Sequence, residues 1–299
     1  MALLIVLLSL PALFSSIAAS LFGESLLTGL TLYFGHFIYL SIWAVLALLI
    51  SIVTRSRGLA LGILLAAWVL TVLVIPRIGV TSASAALPTQ GKILTDMHMN
   101  EDLRKLGDSH NAADPAFAKL KADLLAQYDV ETIEELPVNF RGVVSEKNEA
   151  HQAETLNKFA EKRMQREQAQ AVHLSAYGWL SPYLAISGAS RNLAGTDLNT
   201  HHRFLREAEA LRFEFVQGLN KAHIEKLSYA DDINRNKGEE GWRRARVDAQ
   251  NWQVLQDFRF TPDSPKQRLS RAINGFVPLS IWLIALLGFG LFASRKLSP

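Results

Sequence analysis

Uncharged apolar runs at both ends of the chain enclose a long polar middle. Ala2 to Phe22 contains no charged residue, Leu30 to Val53 contains none, and Leu59 to Ile75 is again uncharged. Polar sequence follows until a last uncharged run, Phe276 to Ala293. A helix needs about 20 residues at 1.5 Å each to cross a ~30 Å hydrocarbon core. The first two runs are long enough. The third reaches that length if it extends to Val80, with Pro76 and Arg77 in the head-group zone, and the fourth is just sufficient. Pro11 falls inside the first run, where a transmembrane helix tolerates it as a kink. That run lacks a basic n-region and is too long for the apolar segment of a signal peptide, so it reads as a span despite the weak cleavage site Ala18-Ala19-Ser20.

The polar middle carries mostly helical signals. Asp114-Pro115 reads as an N-cap followed by a first helical residue, with Phe117, Leu120, Leu124 and Tyr128 at helical spacing behind it. Ser145 begins a long polar-rich helix to about Tyr177, with an apolar stripe through Ala153, Leu156, Met164 and Val172. Ser181-Pro182 is a second cap-plus-proline start. Thr196 or Asp197 caps another long helix, Leu198 to about Leu227. Asn234 to Gly241 reads as a loop. The best strand signal is the short stretch Val138 to Val144.

Charge fixes the expected topology. Residues 77–275 hold 27 of the 31 basic residues and 27 of the 28 acidic ones, so the middle is neutral. The net charge of +3 comes from the flanks of the apolar runs: Arg55, Arg57, Arg295 and Lys296 against Glu24. This is a positive-inside pattern and not a nucleic-acid footprint. The loop Thr54–Gly58 and the tail Ser294–Pro299 are expected inside, and the loop around Glu24 outside. The expected fold class is an all-α membrane protein. It has three transmembrane helices in residues 1–79, a large, mainly helical extracytoplasmic domain in residues 80–275, and a fourth span with a short cytoplasmic tail in residues 276–299. A mean hydropathy of +0.13 agrees with membrane insertion. The chain has no cysteine, which excludes disulfides, thiolate metal sites and cysteine nucleophiles.

Candidate chemistry is sparse. His201-His202 beside Asp197 invites a metal reading, but adjacent helical side chains point about 100° apart. His201 follows Leu198 by three residues and precedes Leu205 by four, so it reads as a buried, hydrogen-bonded imidazole on the apolar face. Asp96-Met97-His98-Met99 with Glu101 and Asp102 mixes soft and hard ligands and reads as a solvated segment. His36 lies inside the second span and reads as a helix–helix hydrogen-bonding group, with function as the alternative. Gly241-Trp242-Arg243-Arg244-Ala245-Arg246 reads as a salt-bridged face. No Walker loop, nucleophile elbow or zinc spacing is present, so no catalytic, cofactor or metal residue is expected.

Three segments carry a family resemblance: Glu135-Leu136-Pro137-Val138-Asn139-Phe140-Arg141-Gly142; Leu180-Ser181-Pro182 with Leu193-Ala194-Gly195-Thr196-Asp197-Leu198 and His201-His202-Arg203-Phe204; and Ala208-Glu209 through Arg212 with Leu219-Asn220. Together, over about residues 92–298, they resemble the DUF3526 group of ABC-2-type transporter permeases. The resemblance implies a bacterial inner-membrane, multi-pass permease with a large outer domain before its last span. It implies as partners a separate ABC ATPase subunit, which uses ATP, and a second permease chain in the lipid bilayer. Such permeases usually have six spans, and this chain resembles the last four, so the first two spans and a coupling helix are expected to be missing. The resemblance carries over no catalytic residue and no substrate. Pro137, Asn139, Arg141 and Gly142 read as a turn, with Phe140 between them, and Gly195-Thr196-Asp197 as a helix cap. The inside portions are too small for the ~800 Å² per partner of a standard stable contact. The competing expectations are a membrane-anchored sensor, which would need a cytoplasmic output module, and a membrane-anchored binding or assembly module.

Overall fold

The computed structural model describes residues 2–21, 23–108, 111, 113–252 and 258–297. No strand occurs among them. Two compact units form. Unit 1 comprises Met1–Thr89, Arg166–His202 and Thr261–Pro299; unit 2 comprises Gln90–Gln165 and Arg203–Phe260. Packing therefore divides the chain differently from the linear division at 79/80 and 275/276, because residues 166–202 group with the apolar helices.

In unit 1, three helices are long and apolar enough to cross a membrane: Leu26–Val53, Arg57–Ala86 and Pro265–Ala293. Ser9–Leu21 is a shorter apolar stretch within α1 (Ala2–Leu21). The helix α2 (Leu26–Val53) lies against α1 through small residues. Ser16 Oγ donates to Gly29 O at 2.7 Å, and a Cβ on Gly29 would come within 2.8 Å of Ser16 Cβ. Close approach of this kind is how apolar helices associate where water supplies no hydrophobic drive between them.

The third helix runs past Pro76 to Ala86, six residues beyond the sequence expectation. It does so through a π turn, Leu70–Val74, between α3 (Arg57–Val69) and α4 (Ile75–Ala86). Proline has no N–H to donate, so a wider turn ahead of it spares the helix an unmade bond. Thr71 O is satisfied from elsewhere: Ser181 Oγ donates to it at 2.5 Å. The last helix, α12 (Pro265–Leu297), likewise starts eleven residues before its apolar run. Ser264-Pro265 is a cap-plus-proline start like Ser181-Pro182, with Gln267 N donating to Ser264 Oγ at 3.4 Å.

Residues 166–194 form a hairpin among these helices. The end of α7 (Phe140–Ala176) runs antiparallel to α4. Gln170 Nε2 donates to Leu87 O at 2.8 Å, His173 Nε2 lies 2.9 Å from Ser82 Oγ, and Leu174 and Tyr177 close over Gly79. A 3-10 turn, Tyr177–Trp179, leads to Ser181, whose hydroxyl also caps α8 (Pro182–Ala194) by accepting from Leu184 N. The helix α8 then returns antiparallel to α12. Trp282 Nε1 donates to Trp179 O at 2.9 Å, and a Cβ on Gly275 would run into Ala185 O. Asn192 Nδ2 donates to Arg271 O at 3.1 Å. Ile42, Ala185, Ile186 and Leu279 form the core at this contact.

Unit 2 is built from α5 (Lys92–Arg104), α6 (Ala118–Tyr128), most of α7, most of α9 (Leu198–Lys226), α10 (Tyr229–Ile233) and α11 (Gly238–Arg244). Its core is Phe117, Phe140 and Val144, with Leu120, Leu124 and Tyr229 against them. The expected strand Val138 to Val144 is instead the entrance of α7, which begins at Phe140 and not at Ser145. Asn139 decides this: its Oδ1 accepts from Arg141 N at 3.0 Å and Gly142 N at 3.4 Å, an N-cap that overrides the β-propensity of the valines. The segment around Asp96–Asp102 is helical, within α5, and Gly238–Gly241 belongs to α11, so the expected loop is shorter than Asn234–Gly241. Asp114 caps a 3-10 turn ahead of α6, as its sequence signal implies.

Candidate functional site

The expected site residues fall into two places. Thr196, Asp197 and His201 line one cavity in unit 1, of about 580 Å³, closed by the end of α7, by α8, by the start of α9 and by α12. Gly195 ends α8 with φ +66°, and Thr196 N donates back to Arg191 O at 3.0 Å. This turn ends α8 and places Asp197 at the head of α9. Asp197 Oδ1 accepts from Asn199 N at 3.0 Å and Thr200 N at 3.3 Å, and Oδ2 accepts from Thr200 Oγ1 at 2.8 Å. Arg271 Nη2 lies 3.4 Å from Asp197 Oδ2 and 2.6 Å from Asp263 Oδ2. Beside it, Arg268 is 5% exposed and reaches Glu24 Oε2 at 2.8 Å.

Two buried polar atoms on this cavity's wall, Gln168 Oε1 and Arg271 Nε, have no hydrogen-bond partner. Buried polar atoms are almost always paired. An unpaired acceptor and an unpaired donor on one wall make this cavity the candidate site. The wall holds a carboxylate–guanidinium pair, amides and an imidazole, groups that can hydrogen-bond a polar ligand.

His201 is not the buried imidazole that the leucine spacing implies. His201 is exposed on the cavity rim, while His202 is 3% exposed and its Nε2 lies 2.8 Å from Glu167 Oε2. The face of α9 that turns inward here is set by its contact with the end of α7 and not by the leucine spacing. His36 Nδ1 donates to Leu32 O at 2.9 Å within its own helix, and among the described residues no bond from its ring to another helix is found; the ring lines a second cavity in unit 1, of about 510 Å³, with Tyr39, Trp68, Tyr183, Ser190 and Arg191. Among the described residues, no group of three or more His, Asp or Glu side chains is placed to hold a metal ion.

Pro137, Asn139, Phe140, Arg141 and Gly142 lie in unit 2 and are structural. Pro137 is exposed ahead of the cap. Phe140 fills the core, and Gly142 lets α7 approach Ile224 of α9, where a Cβ would meet backbone N at 2.9 Å. Asn139 N donates to Ile224 O at 3.1 Å. Asn139 Nδ2 lies 3.3 Å from Oδ2 of Asp232, a carboxylate with no exposed surface. Asp232 also receives His223 Nε2 at 2.8 Å and a hydrogen bond from Arg235, with Arg141 Nε at 3.8 Å. Burial alone would push this carboxyl up. The hydrogen bonds and charges of His223 and Arg235 outweigh burial and hold it well below the ordinary carboxylate range.

Asp232, His223, Arg268, Arg271 and Asp263 carry no motif and were missed in the sequence. A signal existed for the two arginines: three residues apart and one turn ahead of an apolar run, they need acids nearby.

No curated protein and no solved structure matches the chain. Residues 92–261, more than half of the 299, match the family described as "Domain of unknown function (DUF3526)". The chain belongs to the DUF3526 family.

Proposed function

We propose that the chain is the membrane subunit of an ABC-2-type transporter, with four spans in a bacterial inner membrane and unit 2 on the extracytoplasmic side. The observation that carries this reading is the hairpin of residues 166–194. Measured along the helices at 1.5 Å per residue, its tip at Thr71 is about 21 Å from Arg57, and its tip at Trp282 is about 20 Å from Arg295. The two distances agree. Both put Trp179 to Ser181 about 10 Å inside a ~30 Å hydrocarbon core whose inner edge is marked by the basic flanks. A helix that enters, turns and leaves has no use in a passive anchor, and its irregular backbone is tolerated only where it is buried in protein or lines a cavity. Here it borders both cavities. The Glu24–Arg268 pair supports an even number of crossings between those residues, since it holds the first loop and the head of α12 at one level.

In this reading an ABC ATPase subunit supplies energy by hydrolysing ATP, a second permease chain completes the pathway, and the work is solute export or motion delivered to the outer face. The test is co-purification from native membranes. The tagged chain is expected to retain a second permease chain and, through the coupling surface which that chain supplies, an ATPase subunit whose hydrolysis rises several-fold in lipid; the tagged chain stripped of the second permease chain is expected to retain none. Retention of a kinase or of an assembly factor in place of an ATPase would overturn the reading.

A further inference from the structure

We propose that the second cavity of unit 1 binds the phosphate-bearing head group of an anionic lipid, admitted sideways from the bilayer. The lining residues come from α2, the α3–π segment and α8: His36, Tyr39, Trp68, Tyr183, Ser190 and Arg191 are the ones that matter. Arg191, which lines both cavities, is the charged residue among the described residues of this wall, and no carboxylate is among them. Its Nε donates to Ser187 O at 3.3 Å within α8, which leaves the outer face of the guanidinium for a ligand. Ser190 Oγ is buried and has no partner. His36 Nδ1 must carry a proton, because its partner Leu32 O only accepts, so Nε2 remains for a head-group hydroxyl.

The levels of these groups choose a lipid over a soluble anion. His36 is about 28 Å from Arg55 along α2, at the outer edge of a ~30 Å core, and Trp68 is about 16 Å from Arg57, near its middle. The polar groups thus cluster at head-group depth. Trp68 and Val72 continue the same cavity downward at acyl-chain depth. Trp68 and Tyr183 are 43% and 40% exposed, at the mouth through which a chain would pass. Arginine, tyrosine and tryptophan together are the residues that serve membrane–water boundaries.

The inference rests on the bilayer placement in the preceding subsection but not on transport, so the test needs no ATPase. Full-length protein, purified with an equimolar mixture of phosphatidylglycerol and phosphatidylcholine, is weighed by native mass spectrometry. The expected result is retained phosphatidylglycerol in preference to phosphatidylcholine by about tenfold, as for loss or gain of one charge-assisted contact. Arg191→Gln is expected to bring the two lipids to parity, and Arg191→Lys to restore part of the preference. A second readout uses the unaltered chain. Phosphatidylglycerol brominated on its acyl chains should quench tryptophan emission more than brominated phosphatidylcholine does, and Trp68→Phe should abolish the difference. Equal retention of both lipids by the unaltered chain, or a preference that Arg191→Gln leaves intact, would overturn the site. Full displacement of the lipid by millimolar inorganic phosphate would overturn the lipid as its ligand in favour of a free anion. Lipid preference without ATPase stimulation would leave the site standing and sink the permease reading instead.

Discussion

The two units share two means of holding helices together, close approach at glycine and buried ion pairs, and differ in the helices that use them: long and apolar in unit 1, polar-rich in unit 2. In unit 1 the contacts are made by what is missing. Gly29, Gly35, Gly79 and Gly275 have neighbours within 2.8 Å of where a Cβ would lie; backbone of the facing helix comes close at Gly29 and Gly275, and packed side chains at Gly35 and Gly79. In unit 2 a buried charge lies beside the apolar core: Asp232, without exposed surface, gathers Asn139, His223 and Arg235. The difference follows from solvent. Where water drives burial, a domain can fold around an apolar core and add a buried charge provided every lone pair is met. Where lipid surrounds the helices, fit and backbone hydrogen bonds must do the work.

The largest effect is expected from breaking the polar centre. Asp232→Ala leaves His223, Arg235 and Asn139 facing a void, and removing one partner of a buried charged set costs about 3–5 kcal/mol. Hydrogen exchange on the full chain should show lost protection at the start of α7 and the end of α9, with unit 1 unchanged. Acid acts on the same group. Asp232 has its carboxyl lowered in the fold, so its contribution is complete above the ordinary carboxylate value of about 3.9 and is lost as pH falls below it toward the lower folded value. Exchange protection in unit 2 should hold at pH 5 and decline below pH 4, whereas Asp232→Asn should lose that pH dependence.

The next largest effect comes from filling space in unit 1. Gly275→Val drives a side chain into Ala185 O and Ala189, and overpacking of this kind costs about 1–3 kcal/mol. Its thermal midpoint in detergent should fall, with exchange lost in α8 and not in unit 2. Ser181→Ala is expected to be milder. It removes a cap and the donor to Thr71 O together, about 1–2 kcal/mol, and should be read as faster exchange at the head of α8.

The comparison also explains what could be read from the residues alone. The apolar runs, the starts at Asp114-Pro115 and Ser181-Pro182, and the Gly195–Asp197 turn are local, and each was legible. The cap at Asn139 was hidden because Val138, Val143 and Val144 have strand propensity, and only the close approach of Ile224 shows why the helix wins. The hairpin was hidden for a related reason. The helix α8 is too short to read as a span, and its small residues look like ordinary helix until Gly275 and Ala272 are placed opposite them. His201 was placed on the covered face, and is exposed, because helical spacing names a face but not which neighbour covers it.

The central claim is that α8 is embedded in the bilayer while unit 2 lies outside. The chain has no cysteine, so single cysteines report cleanly. Leu180, at the hairpin tip, is 57% exposed on the protein itself, and Lys237 is exposed in unit 2. With an impermeant thiol reagent on intact spheroplasts, Lys237→Cys should label at once. Ser56→Cys should label only after permeabilisation, and Leu180→Cys only after denaturation, because no thiolate forms in hydrocarbon. Labelling of Leu180→Cys as fast as Lys237→Cys would contradict the account.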